Sequence, residues 1–323
     1  MKFGIDLGGS HVAIGLVDEN SEIIEKRTYY MNDRRNVSLE NYIVSSIVHG
    51  INEILQSTRY NLCQIESIGI ATPGNPKDGY IKNVVNLGIK EFNITQKLRE
   101  AFGSKELKIN IQNDGKCAAL AEKYKGSLKD YNDCVFLCIG TGIGGAAFFG
   151  GKFIRPIRNA GFEFGHMVIN KNGEQCNCGN KGCFEVYCSK KKFKEQMQKI
   201  LGITEYVGAA DLTKAVEENM NNDDVKNLLE EYVDNLALGI ANIINILEPE
   251  AISIGVSMSH YEKLIFGRLK EKIYRPPYSA KPYMPASLPG IHIPLWPAKS
   301  LHRCANTPRL RLKKGCGGRR LTT

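Results

Sequence analysis

Cys134-Val135-Phe136-Leu137-Cys138-Ile139-Gly140-Thr141-Gly142-Ile143-Gly144-Gly145 is the stretch on which the fold turns. Its apolar start predicts a strand buried on both faces, as in the sheets of α/β proteins. The glycine-rich run that follows lets backbone N–H groups approach a phosphate closely. It lacks the G-x-x-x-x-G-K-[ST] order of a P-loop. Apolar Ala146 to Phe149 predicts a second strand rather than a helix, which argues against a dinucleotide-binding turn. The unit is strand, glycine turn, strand.

The same unit opens the chain. Lys2 to Asp6 predicts a strand, Gly8-Gly9-Ser10 a tight turn, His11 to Val17 a second strand and Glu22 to Tyr29 a third. In Asp6-Leu7-Gly8-Gly9-Ser10-His11 a carboxylate at a strand end adjoins two glycines and a hydroxyl. That arrangement suits phosphate and Mg²⁺, and it equally suits an ordinary hairpin turn. Further strands are expected at Ser67 to Ala71, ending in Thr72-Pro73-Gly74, at Lys108 to Gln112 and at Ala251 to Gly255. Apolar spacing predicts helices at about Leu39 to Leu55, Lys116 to Tyr124, Asp224 to Leu247 and Tyr261 to Ile273. Strands alternating with helices define an α/β fold. Two glycine-turn units predict two similar domains facing a central cleft, although no internal sequence repeat is visible.

The length of 323 residues accommodates two domains. No run of 18 apolar residues predicts a membrane span. Met1-Lys2-Phe3-Gly4-Ile5-Asp6 does not read as a signal peptide, so the expected location is cytoplasmic. Ten cysteines in such a chain suggest thiols or metal ligands rather than disulfides. The net charge of +9 is not a global property. Residues 1–275 balance 34 Lys+Arg against 34 Asp+Glu, whereas residues 276–323 hold nine basic residues and no acidic one.

Two more motifs carry chemistry. Asn113-Asp114 falls between a predicted strand and a predicted helix. A carboxylate there can accept a proton from a substrate hydroxyl, or the pair can simply cap the helix. Glu163-Phe164-Gly165-His166 precedes Cys176-Asn177-Cys178-Gly179-Asn180-Lys181-Gly182-Cys183-Phe184-Glu185. His166, Cys176, Cys178 and Cys183 fit a closed, structural Cys₃His zinc site; the alternative is a set of free thiols.

In this order the motifs D-L-G-G-[ST], N-D, G-T-G-I-G-G, E-x-G-H and C-x-C-G-x-x-G-C-x-E resemble those of the ROK family (repressors, open reading frames and sugar kinases), over residues 2–273. The resemblance implies the two-domain, actin-like and hexokinase-like (ribonuclease H-like) fold. It implies ATP-dependent phosphorylation of a hexose such as glucose. Asp114 would be the catalytic base. Gly74, Asn113, Glu163, His166 and Glu185 would approach the sugar, with His166 also on zinc. Asp6, Gly8, Gly9, Ser10, Thr141, Gly142, Gly144 and Gly255 would lie along Mg-ATP. The division expected is 1–113 for the N-terminal domain, 114–274 for the larger one and 275–323 for a basic, proline-rich tail. Assembly as a homodimer or homotetramer is implied, with no nucleic acid or membrane partner.

The sequence departs from the family pattern twice. A Gly-Gly pair is usual where this chain has Gly255-Val256. An acidic, Gly- and Ala-rich closing helix is usual where eight of twelve prolines lie in 276–323 without helical or strand periodicity. The abrupt change is what a reading-frame shift produces, and resequencing of the gene tests it. A helix lost there would leave apolar surface of the N-terminal domain uncovered, at ~1.5–3 kcal/mol for each large side chain. A repressor of the same family would need a DNA-binding segment ahead of Asp6, for which this reading leaves no room. The alternatives are a kinase for fructose, allose, N-acetylmannosamine or N-acetylglucosamine, and a catalytically impaired sugar-binding protein.

Overall fold

The computed structural model describes residues 1–34, 36–74, 76–84, 88–156, 161–256, 258–274 and 290–292. In chain order, β1 (Lys2–Leu7), β2 (His11–Val17) and β3 (Ile23–Tyr30) form the expected meander. Helix α1 (Leu39–Thr58) follows, with Ser38 as its N-cap. It buries Ile43, Ile47, Ile51 and Ile54, one apolar stripe, against Phe3, Ile5 and Leu7. Then come β4 (Ser67–Thr72), a hairpin of β5 (Ile81–Val84) and β6 (Ile89–Phe92), α2 (Ile94–Ala101) and β7 (Ile109–Asn113). The β5–β6 hairpin and α2 were not predicted from the sequence.

Helix α3 (Asp114–Lys125) leads into β8 (Cys134–Ile139), β9 (Ile143–Phe149) and β10 (Lys152–Phe153). After the Cys-rich loop stand α4 (Phe184–Cys188), α5 (Lys190–Ile200), α6 (Ala209–Glu218) and α7 (Asp223–Leu247). Strand β11 (Ala251–Val256), α8 (Glu262–Tyr274) and β12 (Gly290–His292) complete the described chain. β12 corrects the expectation of a tail without strands: three residues pair in parallel with β11. The rest of the 275–323 segment lies outside the described residues, as does the side chain of Val256.

The two sheets have one topology. The first runs β3-β2-β1-β4-β7 and the second β10-β9-β8-β11-β12. In each, three antiparallel strands are joined to two that run parallel to the meander's first strand. β8 is buried on both faces, which explains its unbroken apolar run. Val135, Leu137 and Ile139 enter the core built by α7 and α8. Cys134 and Phe136 enter the core beneath α3 with Ala118, Ala119 and Leu120. Cys117, on the same helix, packs against Ala71 of β4, so α3 touches both sheets.

Candidate active site

The central strands β1 and β8 deliver the two glycine turns from their carboxyl ends, where ligands of open α/β sheets bind. Phe3, Ile5 and Leu7 fill the first core, so strand alternation puts Asp6 on the opposite face. Asp6 is only 6% exposed. His11 Nε2 lies 3.6 Å from Asp6 Oδ2, and Ser10 Oγ lies 3.2 Å from His11 Nδ1. His11 therefore bridges the carboxylate and the hydroxyl of this turn, a role that its place in the motif did not announce. Burial pushes the Asp6 carboxyl above its usual range; His11 opposes this, and the charge of Asp114 adds to it.

Asp114 opens α3, two residues before the predicted start. The cause is Asn113, whose side chain accepts the Lys116 N–H at 3.1 Å and caps the helix. Asn113 thus does the capping, and the Asp114 side chain is not needed for it. Asp114 Oδ1 accepts the N–H of Gly115 at 2.8 Å. Burial raises its pKa, and the hydrogen bonds only partly offset that. The next neighbour on the other side is Cys138 of β8. Its thiol is pushed up to about 12, first by burial and then by the Asp114 charge. Asp114 thus stands between the ends of β1 and β8.

The remaining candidates each have partners of their own. Asn113 Nδ2 donates to the Gly74 carbonyl at 3.2 Å, and Gly74 turns the chain with φ +80°. Glu163 acts on Lys116, a buried cation two residues after Asp114; burial lowers the Lys116 pKa and the Glu163 charge opposes that. The Glu163 carbonyl accepts the His166 N–H at 3.0 Å in a short 3₁₀ turn, Phe164–His166. Glu185 Oε2 accepts the N–H of Ile143 at 2.8 Å, which ties α4 to the second glycine turn.

The glycines divide by what fills the space beside them. A Cβ on Gly9 or Gly144 would meet no atom within 4 Å. Open space therefore adjoins the first turn and the start of β9 just after the second. A Cβ on Gly142 would strike the Glu185 carboxylate, and one on Gly255 would strike the Phe136 ring. Gly255 thus has a packing reason of its own in β11. β9 also begins earlier than predicted, at Ile143, so Gly144 lies in a strand and the turn proper is Gly140 to Gly142. Thr141 is exposed at its tip.

His166, Cys176, Cys178 and Cys183 converge, with one donor atom of each within 4.8 Å of all the others. Tetrahedral zinc with Zn–S bonds of about 2.3 Å needs ligand separations of about 3.8 Å. Cys178 Sγ and Cys183 Sγ are 3.6 Å apart, and Cys176 Sγ is 3.7 Å from His166 Nδ1. The donor set and its spacing fit that ion. His166 turns Nδ1 toward the cysteines.

Two α/β halves of one strand order, each with a glycine turn at the end of its central strand, define the actin-like, two-domain architecture of hexokinases. Within that class, the chain belongs to the ROK family, whose family model matches residues 2–287. It is 29% identical to the glucokinase of Thermotoga maritima over 288 residues, covering 84% of this chain and 86% of the relative. It is 26% identical to the xylose repressor of Bacillus spizizenii, covering 84% of this chain and 68% of that protein. Its fold matches the ROK glucokinase of Streptomyces griseus, solved with glucose and AMPPNP, with a TM-score of 0.71, 21% identity and coverage of 94% and 97%. No helix among the described residues is long and apolar enough to cross a membrane.

Proposed function

We propose that this chain is an ATP-dependent sugar kinase that converts glucose to glucose 6-phosphate. The observation that carries the reading is Asp114, a half-buried carboxylate lying between the two glycine turns in a chain similar to a glucokinase. Asp114 accepts the proton of the 6-hydroxyl as that oxygen forms its bond to the γ-phosphorus. The bond from the γ-phosphorus to the bridging oxygen breaks, and ADP leaves. Asn113, Glu163, His166 and Glu185 hold the ring hydroxyls beside Gly74. Gly8, Gly9, Ser10, Thr141, Gly142 and Gly144 line the phosphates, with Gly255 nearer the nucleotide base.

Asp6, whose carboxyl is raised first by burial and also by the charge of Asp114, would hold Mg²⁺ brought in with ATP, which would supply charge neutralisation at the phosphates. Zinc on His166, Cys176, Cys178 and Cys183 would have no open position, so its part is structural. Held by zinc through Nδ1, the His166 ring would be fixed and would keep Nε2 for the sugar. The functional division follows at 113/114. The reading carries with it a cytoplasmic location, a homodimeric or homotetrameric assembly and no nucleic-acid partner.

The test is hexose-dependent ADP release from Mg-ATP across glucose, fructose, allose, N-acetylmannosamine and N-acetylglucosamine, with Asp114→Asn in parallel. Turnover with one sugar, abolished by Asp114→Asn, is expected. The similarity to a xylose repressor supports a second reading, a sugar-binding protein without transfer. Sugar binding by calorimetry with no turnover in a folded, zinc-loaded sample selects it.

A further inference from the structure

We propose that Glu185 is a sugar-released latch on the phosphate turn, a task separate from touching the sugar. The inference rests on the kinase reading above. The Ile143 N–H, at the exit of the Gly140–Gly142 turn, is the kind of donor that would face a phosphate. It is held by Glu185 Oε2 at 2.8 Å. Gly142 makes this possible. It does not need to be glycine for its backbone conformation, since its φ is not in the left-handed region, yet any Cβ there would run into the same carboxylate oxygen. Its smallness serves Glu185.

The latch sits on a firm support. Phe184, the residue before it, is fully buried, and its N–H donates to the Met167 carbonyl at 2.7 Å. On the far side, Gly140 N–H donates to the Gly142 carbonyl at 2.8 Å within the turn.

One N–H cannot serve a carboxylate and a phosphate oxygen together, and two anions side by side repel. Nucleotide is therefore opposed while Glu185 holds the turn. A sugar whose hydroxyls donate to Glu185 draws the carboxylate away and frees the amide. The two substrates become positively coupled, and the coupling is reciprocal. Sugar-independent ATP hydrolysis is restrained by the same bond.

Calorimetric titration with Mg²⁺ and a non-hydrolysable ATP analogue, with and without glucose, tests this. In the wild type glucose tightens nucleotide binding by about tenfold. Glu185→Ala tightens sugar-free nucleotide binding by about the same factor and abolishes the effect of glucose. Gly142→Ala, which keeps the carboxylate but displaces it from Ile143, gives the same sugar-free gain. A merely structural loss would weaken nucleotide binding, not strengthen it. If both folded variants bind nucleotide without sugar as the wild type does, the latch is wrong; if Glu185→Ala does not fold, Gly142→Ala decides. A wild type that turns over glucose but whose nucleotide affinity ignores it overturns the latch alone. A wild type that binds no nucleotide overturns the kinase reading and the latch with it.

Discussion

Asp114, the base of the proposed reaction, stands in a place that disfavours its charge. Folding raises its pKa above 3.8, so the folded state holds the proton more tightly than the unfolded one. Stability therefore falls as pH rises from 3.8 through the raised value, and the penalty is complete above it. Asp114→Asn removes that penalty and keeps an oxygen for the Gly115 N–H. At neutral pH it should melt higher than the wild type, with the difference closing as pH falls toward 3.8, as scanning calorimetry across pH would read. Its kcat/KM should drop about 100- to 10,000-fold. The acid limb of the wild-type profile should lie above 3.8, because only the deprotonated carboxylate accepts the proton. Tyr261 offers a contrast without chemistry. It is fully buried, 5.2 Å from the Phe193 ring, and its hydroxyl has no partner among the described residues. Tyr261→Phe should therefore raise stability by about 1 kcal/mol in denaturant unfolding. The dipeptide Asn113-Asp114 was legible as two competing roles; that Asn113 takes the cap rests on its bond to the Lys116 N–H, which sequence spacing leaves open.

At the scale of elements, the Cys-rich loop is where local chemistry is strongest. Between residues 174 and 185 few apolar side chains are available, so a metal held by His166, Cys176, Cys178 and Cys183 would do there what a core does elsewhere. Elemental analysis should find one zinc per chain. Cys183→Ser replaces a fully buried donor, and losing the ion should cost several kcal/mol, roughly 10 °C in Tm. Hydrogen exchange should report the loss first in this loop. Gly182 gives an independent handle. Its φ of +71° and the Asn170 carbonyl beside it leave no room for a Cβ. Gly182→Ala should lower Tm by a comparable amount even in excess zinc. Both features were legible, since cysteine spacing and glycine punctuation are local signals. The β5–β6 hairpin and α2 were not, because their strands are four residues long and α2 only eight. Glu185 shows a different blind spot: the motif marks the residue, but its bond to Ile143 joins positions 42 apart.

For the whole molecule, the doubled topology is the main thing the chain conceals. Two sheets with one strand order share no visible sequence repeat, because a strand needs only apolar character and alternation, which many sequences satisfy. The glycine turns betrayed the duplication by their chemistry alone. The same economy governs the second sheet's edge, where β12 needs only Gly290, Ile291 and His292 to pair with Ala251, Ile252 and Ser253. A basic, proline-rich segment can therefore still contribute an edge strand, and the point that matters for function lies just beyond it. If the segment after His292 is unselected sequence, deleting residues 293–323 should leave Tm and hexose turnover unchanged. The deletion removes eight of the nine basic tail residues and brings the net charge from +9 to about +1. Self-association should rise accordingly, since a net charge near zero no longer keeps copies apart. Light scattering at matched ionic strength separates that colloidal effect from unfolding. A truncated chain that loses both its melting transition and its turnover would show instead that residues 293–323 supply the packing the family's closing helix normally gives.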